Sequence, residues 1–369
     1  MKIPMLDLAE QYQTIKEDVL IEFDKVMSSS QFILGSNVKQ LEADVAKLSN
    51  VKHGIGVANG SDAIHIALQA AGVGEGDEVI TTAFTFFATG GAIARANAKP
   101  IYVDIDPITF NIDPLKVEEA ITEKTKAIIA VHLYGQMVDM ESLRAIAIKY
   151  NLVLIEDAAQ AIGAKQNGQP VGELGIAATY SFFPTKNLGA YGDAGMLVTN
   201  NDELAENARI IRVHGSKPKY YHQVLGYNSR LDELQAAILN VKLLHLEKWT
   251  EQRRAHAAYY TEQIQEKAGK YVTTPTEAVG FYHVYHQYTL RVERRDELQI
   301  YLKEQGVATM IYYPIPLHLQ PVFAYLGYKE GDLPITEQAT KEVLSLPMFP
   351  ELKKEQQDYI IAKIGEFYT

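Results

Sequence analysis

The chain has 369 residues, 47% apolar and 22% charged, the make-up of an ordinary water-soluble globular protein of about two domains. Thirty-five Lys and Arg against 46 Asp and Glu leave a formal charge of −11, and no Lys/Arg run offsets it, which argues against a role built on neutralising nucleic-acid phosphates. There is no cysteine, so disulfides, zinc–thiolate sites and cysteine nucleophiles are excluded, and a reducing compartment fits.

The opening run Met1-Lys2-Ile3-Pro4-Met5-Leu6-Asp7-Leu8-Ala9-Glu10 has no basic n-region and meets acids early, so no signal peptide is expected. No stretch approaches 18 consecutive apolar residues, so no membrane span is expected either, and the expected location is cytoplasmic. Leu8, Tyr12, Ile15, Val19 and Phe23 recur at helical spacing and predict a helix over 8–27. A second helix is predicted over 36–48, capped by Ser36 or Asn37. Short apolar runs at 54–58, 78–81, 99–103, 126–131 and 152–156 then alternate with helical patterns at 61–72, 86–97, 114–122 and 139–150. That cadence predicts a mostly parallel sheet with helices on both faces. Strands at 176–182 and 194–199 and a helix at 202–212 follow. A long helical region over 231–266 leads to a smaller α+β unit, with a strand at 285–293 and helices near 295–305, 336–345 and 353–366. Residues 214–228 and 309–334 read as long loops, which in compact domains are often functional.

Chemistry-bearing residues cluster where apolar runs end. Leu152-Val153-Leu154-Ile155-Glu156-Asp157 sets two carboxylates at the C-terminal end of a strand, where open α/β sheets bind ligands. Read alone, either acid is equally a helix cap. Ser181-Phe182-Phe183-Pro184-Thr185-Lys186-Asn187-Leu188-Gly189 sets Lys186 in a Gly-flanked loop beside apolar walls. An amine there can lose its proton through burial and attack a carbonyl, although most loop lysines are simply solvated. Asn59-Gly60-Ser61-Asp62 turns from a strand into an Ala-rich helix, whose free N–H groups and dipole form an anion site, or merely a capped start. A lysine able to form a Schiff base, an acid to pair with a protonated pyridine nitrogen and a phosphate site upstream are together what pyridoxal phosphate requires. Phe86 after the second strand can stack on a flat ring, and Gln160, three residues beyond Asp157, can reach a ring substituent. Neither dinucleotide nor nucleotide glycine fingerprints occur, which removes a nicotinamide dehydrogenase. No metal site is expected.

The segments Ala58-Asn59-Gly60-Ser61-Asp62-Ala63, Glu156-Asp157-Ala158-Ala159-Gln160, Ser181–Gly189 and Gly226-Tyr227-Asn228-Ser229-Arg230-Leu231, in this order, resemble the sugar aminotransferase family DegT/DnrJ/EryC1/StrS over nearly the whole chain. The resemblance implies an α/β, aspartate-aminotransferase-like fold (fold type I). A large domain over 30–245 would bind pyridoxal phosphate, and 1–29 with 246–369 would form the smaller α+β domain. By the same resemblance Lys186 is the Schiff-base lysine and Asp157 the partner of the ring nitrogen. Gln160 contacts the ring's phenolic oxygen, where many relatives have His, and Phe86 stacks on the ring, where many have Trp. Gly60, Ser61 and Ser181 hold the phosphate, and Asn228 reaches the phosphate of a neighbouring subunit, so a homodimer with shared sites is implied. The stretch Tyr312-Tyr313-Pro314-Ile315-Pro316-Leu317-His318 resembles the substrate loop of members that act on nucleotide-linked hexuloses, with Tyr313 and His318 against the sugar. The implied reaction moves the amino group of glutamate to a 3-keto or 4-keto 6-deoxy sugar on its nucleotide carrier, with carbon three the choice suggested by the His318 loop. Alternatives are a carbocyclic ketone of aminocyclitol synthesis and a regulatory relative without catalysis.

Overall fold

The structure is a computed structural model that describes all 369 residues. The strands of the large sheet are β1 (His53–Val57), β2 (Glu78–Thr82), β3 (Lys99–Val103), β4 (Thr125–Val131) and β5 (Val153–Asp157). After two short strands, β6 (Lys165–Gln166) and β7 (Gln169–Pro170), come β8 (Ala177–Ser181) and β9 (Gly195–Thr199). The seven long strands run in the order β1-β9-β8-β5-β4-β2-β3. Only β9 opposes its neighbours, pairing antiparallel with both β8 and β1. The remaining pairs are parallel, as the strand–helix cadence predicts. The helices are α1 (Leu8–Ser29), α2 (Ser36–Leu48), α3 (Gly60–Ala70), α4 (Phe87–Arg95), α5 (Pro114–Glu119), α6 (Met140–Tyr150), α7 (Asp202–Ile211), α8 (Glu233–Leu243), α9 (Leu246–Ala268), α10 (Arg295–Glu304), α11 (Pro334–Glu342) and α12 (Lys354–Tyr368).

Strand alternation divides the core into two layers. Ile128, Ala130, Leu154 and Met196 face the layer closed by α2, α6 and α8. Ala127, Ile129, Ile155 and Leu197 face the layer closed by α3, α4 and α7. The same alternation carries Glu156 onto the Leu154 face and Asp157 onto the Ile155 face, so adjacent acids serve different environments. A second unit follows α8. Three antiparallel strands, β10 (Val272–Thr273), β12 (Tyr288–Val292) and β13 (Val343–Leu346), pack with α9, α10 and α12 around Tyr260, Ile264, Leu290, Leu298, Leu344 and Ile360. A two-residue strand, β11 (Phe281–Tyr282), ties this unit back to β6.

Four local features depart from the sequence reading. The helix expected over 336–345 ends at Glu342, and Val343–Leu346 is the edge strand β13, fully buried. The single helical region over 231–266 is two helices, parted at Leu244 and His245, where the His245 ring stacks on Trp249 at 5.4 Å. Helix α2 takes its N-cap from Gly35 rather than Ser36 or Asn37, and the Glu233 carboxylate supplies the missing acceptor for Asn37 N–H at 2.6 Å. No helix follows Asp157; residues 158–163 are turns. At the N-terminus, Ile3 bridges Val307 in the second unit, whereas Ile15 and Val19 of α1 pack against Ile238, Val241 and Trp249.

Candidate active site

The carboxyl ends of β1, β2, β5 and β8 form one rim, and every loop carrying a candidate cofactor residue of this chain except that of Asn228 leaves from it. Asp157 ends β5 and is only 4% exposed. Its Oδ2 accepts a 2.7 Å bond from Thr89 Oγ1 on α4, and its Oδ1 accepts one of 3.2 Å from Ala159 N–H. Burial raises its pKa, opposed by the Thr89 and Ala159 bonds and by the positive charge of Lys186. Glu156 has a different task. It is fully buried and accepts from the N–H groups of Gly172 and Gly175 and from His132 Nε2 at 2.9 Å. His132 Nδ1 accepts from Val138 N–H, which fixes the ring proton on Nε2. Glu156 therefore braces the strand end from the opposite face.

Lys186 sits in the turn that follows β8. Its backbone N–H closes on Phe183 O at 2.9 Å. Gly189 finishes the turn where no other residue fits, since a Cβ there would lie 2.3 Å from Pro184 O. Lys242 Nζ from α8 donates to Gly189 O at 2.6 Å, and Asn187 Nδ2 donates to Val284 O at 3.0 Å, so both units grip the loop. Asn187 Oδ1 in turn accepts from His286 Nδ1 at 3.2 Å. Burial lowers the Lys186 amine from 10.5 to about 8, although Asp157 pulls the other way. His286 is held well below its ordinary value by burial and then by the charge of Lys186, so it stands beside the lysine as a neutral ring.

The cradle lies where α3 begins. Asn59 Oδ1 caps Asp62 N–H at 2.8 Å, while the N–H groups of Gly60 and Ser61 have no acceptor within the chain. Gly60 lies so close to β8 that a Cβ would fall 2.6 Å from Ser181 Cβ and 3.0 Å from its Oγ. Two free N–H groups with the Ser181 hydroxyl beside Gly60, and Ser61 next in the chain, thus lie at a helix N-terminus, which suits a phosphate dianion. Phe86 caps α4 with 57% of its surface open, and its ring centroid is 6.2 Å from that of Tyr313. Gln160 is held at both ends, its Oε1 accepting from Tyr134 N–H at 2.6 Å and its Nε2 donating to the Tyr313 hydroxyl at 3.0 Å. That contact sets Tyr313 on the rim.

His318 is not on the rim. It is 1% exposed, with Nε2 3.1 Å from Glu337 Oε1 and its ring edge-on to Tyr328, so it has no surface to offer a sugar. Glu337 also takes the N–H groups of Gly331 and Leu333, which makes the pair a clasp between the 312–321 loop and α11. Asn228 is exposed, its Oδ1 taking Arg230 Nη2 at 2.5 Å, and it makes no bond to its own chain's cradle. Its neighbours are anchored to α3: Tyr227 donates its hydroxyl to His65 Nε2 at 2.9 Å, and Ser229 donates to Asp62 Oδ2 at 2.8 Å. Thr89, His132 and His286 were not singled out from the sequence, because each meets its partner across tens of residues and none stands in a recognisable pattern. No group of three or more His, Cys, Asp or Glu is placed to hold a metal, and no helix is long and apolar enough to cross a membrane.

Comparison with known proteins bears on family and fold. The chain is 72% identical over 368 residues to a pleiotropic regulatory protein of Geobacillus stearothermophilus, covering 100% of this chain and 99% of that one. It is 46% identical to the UDP-N-acetyl-3-dehydro-alpha-D-glucosamine 3-aminotransferase of Acidithiobacillus ferrooxidans, over 96% of this chain and 95% of that one. The crystal structure of S. venezuelae DesV in complex with a ketimine intermediate superposes with a TM-score of 0.96 at 40% identity, over 99% of this chain and 98% of that one. The model of the DegT/DnrJ/EryC1/StrS aminotransferases matches residues 13–365, and the chain belongs to that family.

Proposed function

We propose that this aminotransferase uses pyridoxal phosphate to move the amino group of glutamate onto the 3-keto group of a nucleotide-linked sugar, in a homodimer with shared sites located in the cytoplasm. The observation that carries the reading is the desolvated Lys186 amine facing a buried, hydrogen-bonded Asp157 beside an open phosphate cradle. The residues fit the cofactor: Gly60 and Ser61 have N–H groups to spare, Gly60 has no room for a side chain, and an open Phe86 face lies on the same rim. Carbon three is supported by the 46% identical relative, since the buried His318 no longer argues for it.

When bound, pyridoxal phosphate supplies an aldehyde that captures amines and a protonated ring that accepts electron density. The chain's own residues do the rest. The N–H groups of Gly60 and Ser61 and the hydroxyls of Ser61 and Ser181 bind the phosphate. Asp157, ionised, keeps the ring nitrogen protonated. Phe86 walls the ring, and Gln160 offers its second amide N–H to the phenolic oxygen. Lys186 Nζ, with a pKa of about 8, would take the α-proton of glutamate and deliver it to the carbon of the cofactor's aldehyde group rather than return it, and would run the same transfer in reverse for the sugar. Glutamate leaves as 2-oxoglutarate and the keto carbon gains the amine. Asn228 approaches the phosphate of the partner subunit.

A second reading, a regulatory protein without catalysis, is favoured by the name of the 72% identical relative. The intact lysine, acid and cradle oppose it. One experiment separates the two. Purified protein with pyridoxal phosphate is given glutamate and a panel of UDP-, dTDP- and GDP-linked keto sugars, and 2-oxoglutarate is assayed alongside Lys186→Ala. The wild type is expected to show a visible cofactor band that glutamate bleaches and to form 2-oxoglutarate, and the variant to lose both. A variant that keeps the band and normal turnover ends the assignment.

A further inference from the structure

Asp157 is held by a pair of hydroxyls that nothing so far has given a task. Thr89 lies in α4 at 1% exposure, and Thr85 lies in the loop before it at 3%. A threonine inside a helix usually bonds back to the carbonyl one turn earlier. Thr89 Oγ1 instead reaches 2.7 Å to Asp157 Oδ2, on a strand 68 residues away, and Thr85 Oγ1 stands 3.1 Å behind it. A carboxylate only accepts, so Thr89 must donate, and its oxygen is then free to receive the Thr85 hydroxyl proton. The two protons point one way, from Thr85 to Thr89 to Asp157. On the other oxygen the donor is Ala159 N–H, which cannot turn round. Both carboxylate oxygens therefore meet donors, and the arrangement is made for the ionised form.

We propose that Thr89, backed by Thr85, is a positioning residue that keeps Asp157 ionised and fixes the plane of its carboxylate. The proposal rests on the reading of Asp157 as partner of the ring nitrogen. The other groups around Asp157 are known. Lys186 faces it from the loop after β8, His132 from the end of β4 with its ring proton committed to Glu156, and the Tyr313 phenol from the 312–321 loop. None of the three makes a hydrogen bond to the carboxylate, whose direct donors are the Thr89 hydroxyl and Ala159 N–H, with Thr85 acting only through Thr89.

The test has two readouts. The full-length chain, labelled with 13Cγ-aspartate, is titrated by NMR without added cofactor, and the Asp157 signal is assigned by its loss in Asp157→Asn. In Thr89→Val, the midpoint is expected to rise by about one pH unit or more, the scale of a lost hydrogen bond to a charge. Thr89→Ser is expected to restore it, and Thr85→Val to raise it by a smaller step. In the holoenzyme the acid limb of the pH–activity profile is expected to move in the same direction and order. Thr89→Ala takes the place of the valine variant should that fail to fold. A cooperatively folded Thr89→Val or Thr89→Ala with an unmoved midpoint overturns the proposal, as does a serine variant that fails to restore it. Should the wild type bind no cofactor, the proposed function falls while the carboxyl titration still decides this point.

Discussion

In the turn after β8, the Lys186 ammonium is worth less to the fold than to the chemistry. Its pKa falls from 10.5 in the unfolded chain to about 8 in the folded one, chiefly through desolvation. Between those values the unfolded chain binds more protons, so this group makes stability rise with pH across that window. Below pH 8 it is charged in both states and costs the fold on the order of 3 kcal/mol; above 10.5 it is neutral in both and costs nothing. Lys186→Met keeps the length and drops the charge. Without cofactor it is expected to melt higher than wild type at pH 7, with the gain shrinking towards pH 10.5, and calorimetry at the two pH values checks it. A variant that melts at or below wild type at pH 7 contradicts a desolvated amine. Asp157 shows the same preference for chemistry, a carboxylate kept in the interior by two donors where an apolar side chain would pack without them.

Elements place these residues, and some contacts that fix an element lie far away in sequence. Helix α2 begins at Gly35 without a side-chain cap, and Glu233 at the start of α8 fills the gap, accepting from Asn37 N–H at 2.6 Å and Val38 N–H at 3.2 Å. A Cβ on Gly35 would lie 2.6 Å from that carboxylate, so the close approach needs the glycine. Glu233→Ala is expected to destabilise by about 1–3 kcal/mol, leaving two helix N–H groups without a partner, and denaturant melts of the two proteins measure it. An unchanged midpoint would falsify this cap. The same example shows what the residues alone reveal. The strand cadence of the large sheet was legible because short apolar runs alternate with helical patterns, and the rim position of Asp157 and Gly60 follows from it. A cap 196 residues away leaves no local signal. Residues 343–345, most of β13, were read as the end of a helix because a short apolar run buried on both sides has no period to tell strand from helix. His318 was read towards the sugar because the sequence cannot show that Glu337 draws it inward.

At the scale of the whole molecule, the proposed homodimer makes a demand that surface and loops can be held against. Leu20, Phe23, Met27, Phe32 and Ile33 are each 40% or more exposed on and after α1, a run of apolar surface rare on a monomer. Tyr220 and Leu225, at 83% and 94%, stand out on the loop that ends at Asn228. That loop is anchored at Tyr227 and Ser229 to the chain's own α3, while Asn228 between them is exposed and open to a partner. The arrangement can be tested by complementation. Lys186→Ala removes the reacting amine, and Asn228→Asp sets a negative charge against the phosphate. If Asn228 acts in trans, a heterodimer of the two variants has one site with both defects and one with neither. Random pairing then leaves about a quarter of all sites intact, and co-expressed variants are expected to regain about a quarter of wild-type turnover. If Asn228 acts within its own chain, every site carries one defect, and the mixture stays at the average of its two parents. Turnover of the purified mixture, with its dimer mass measured in solution, decides between the two.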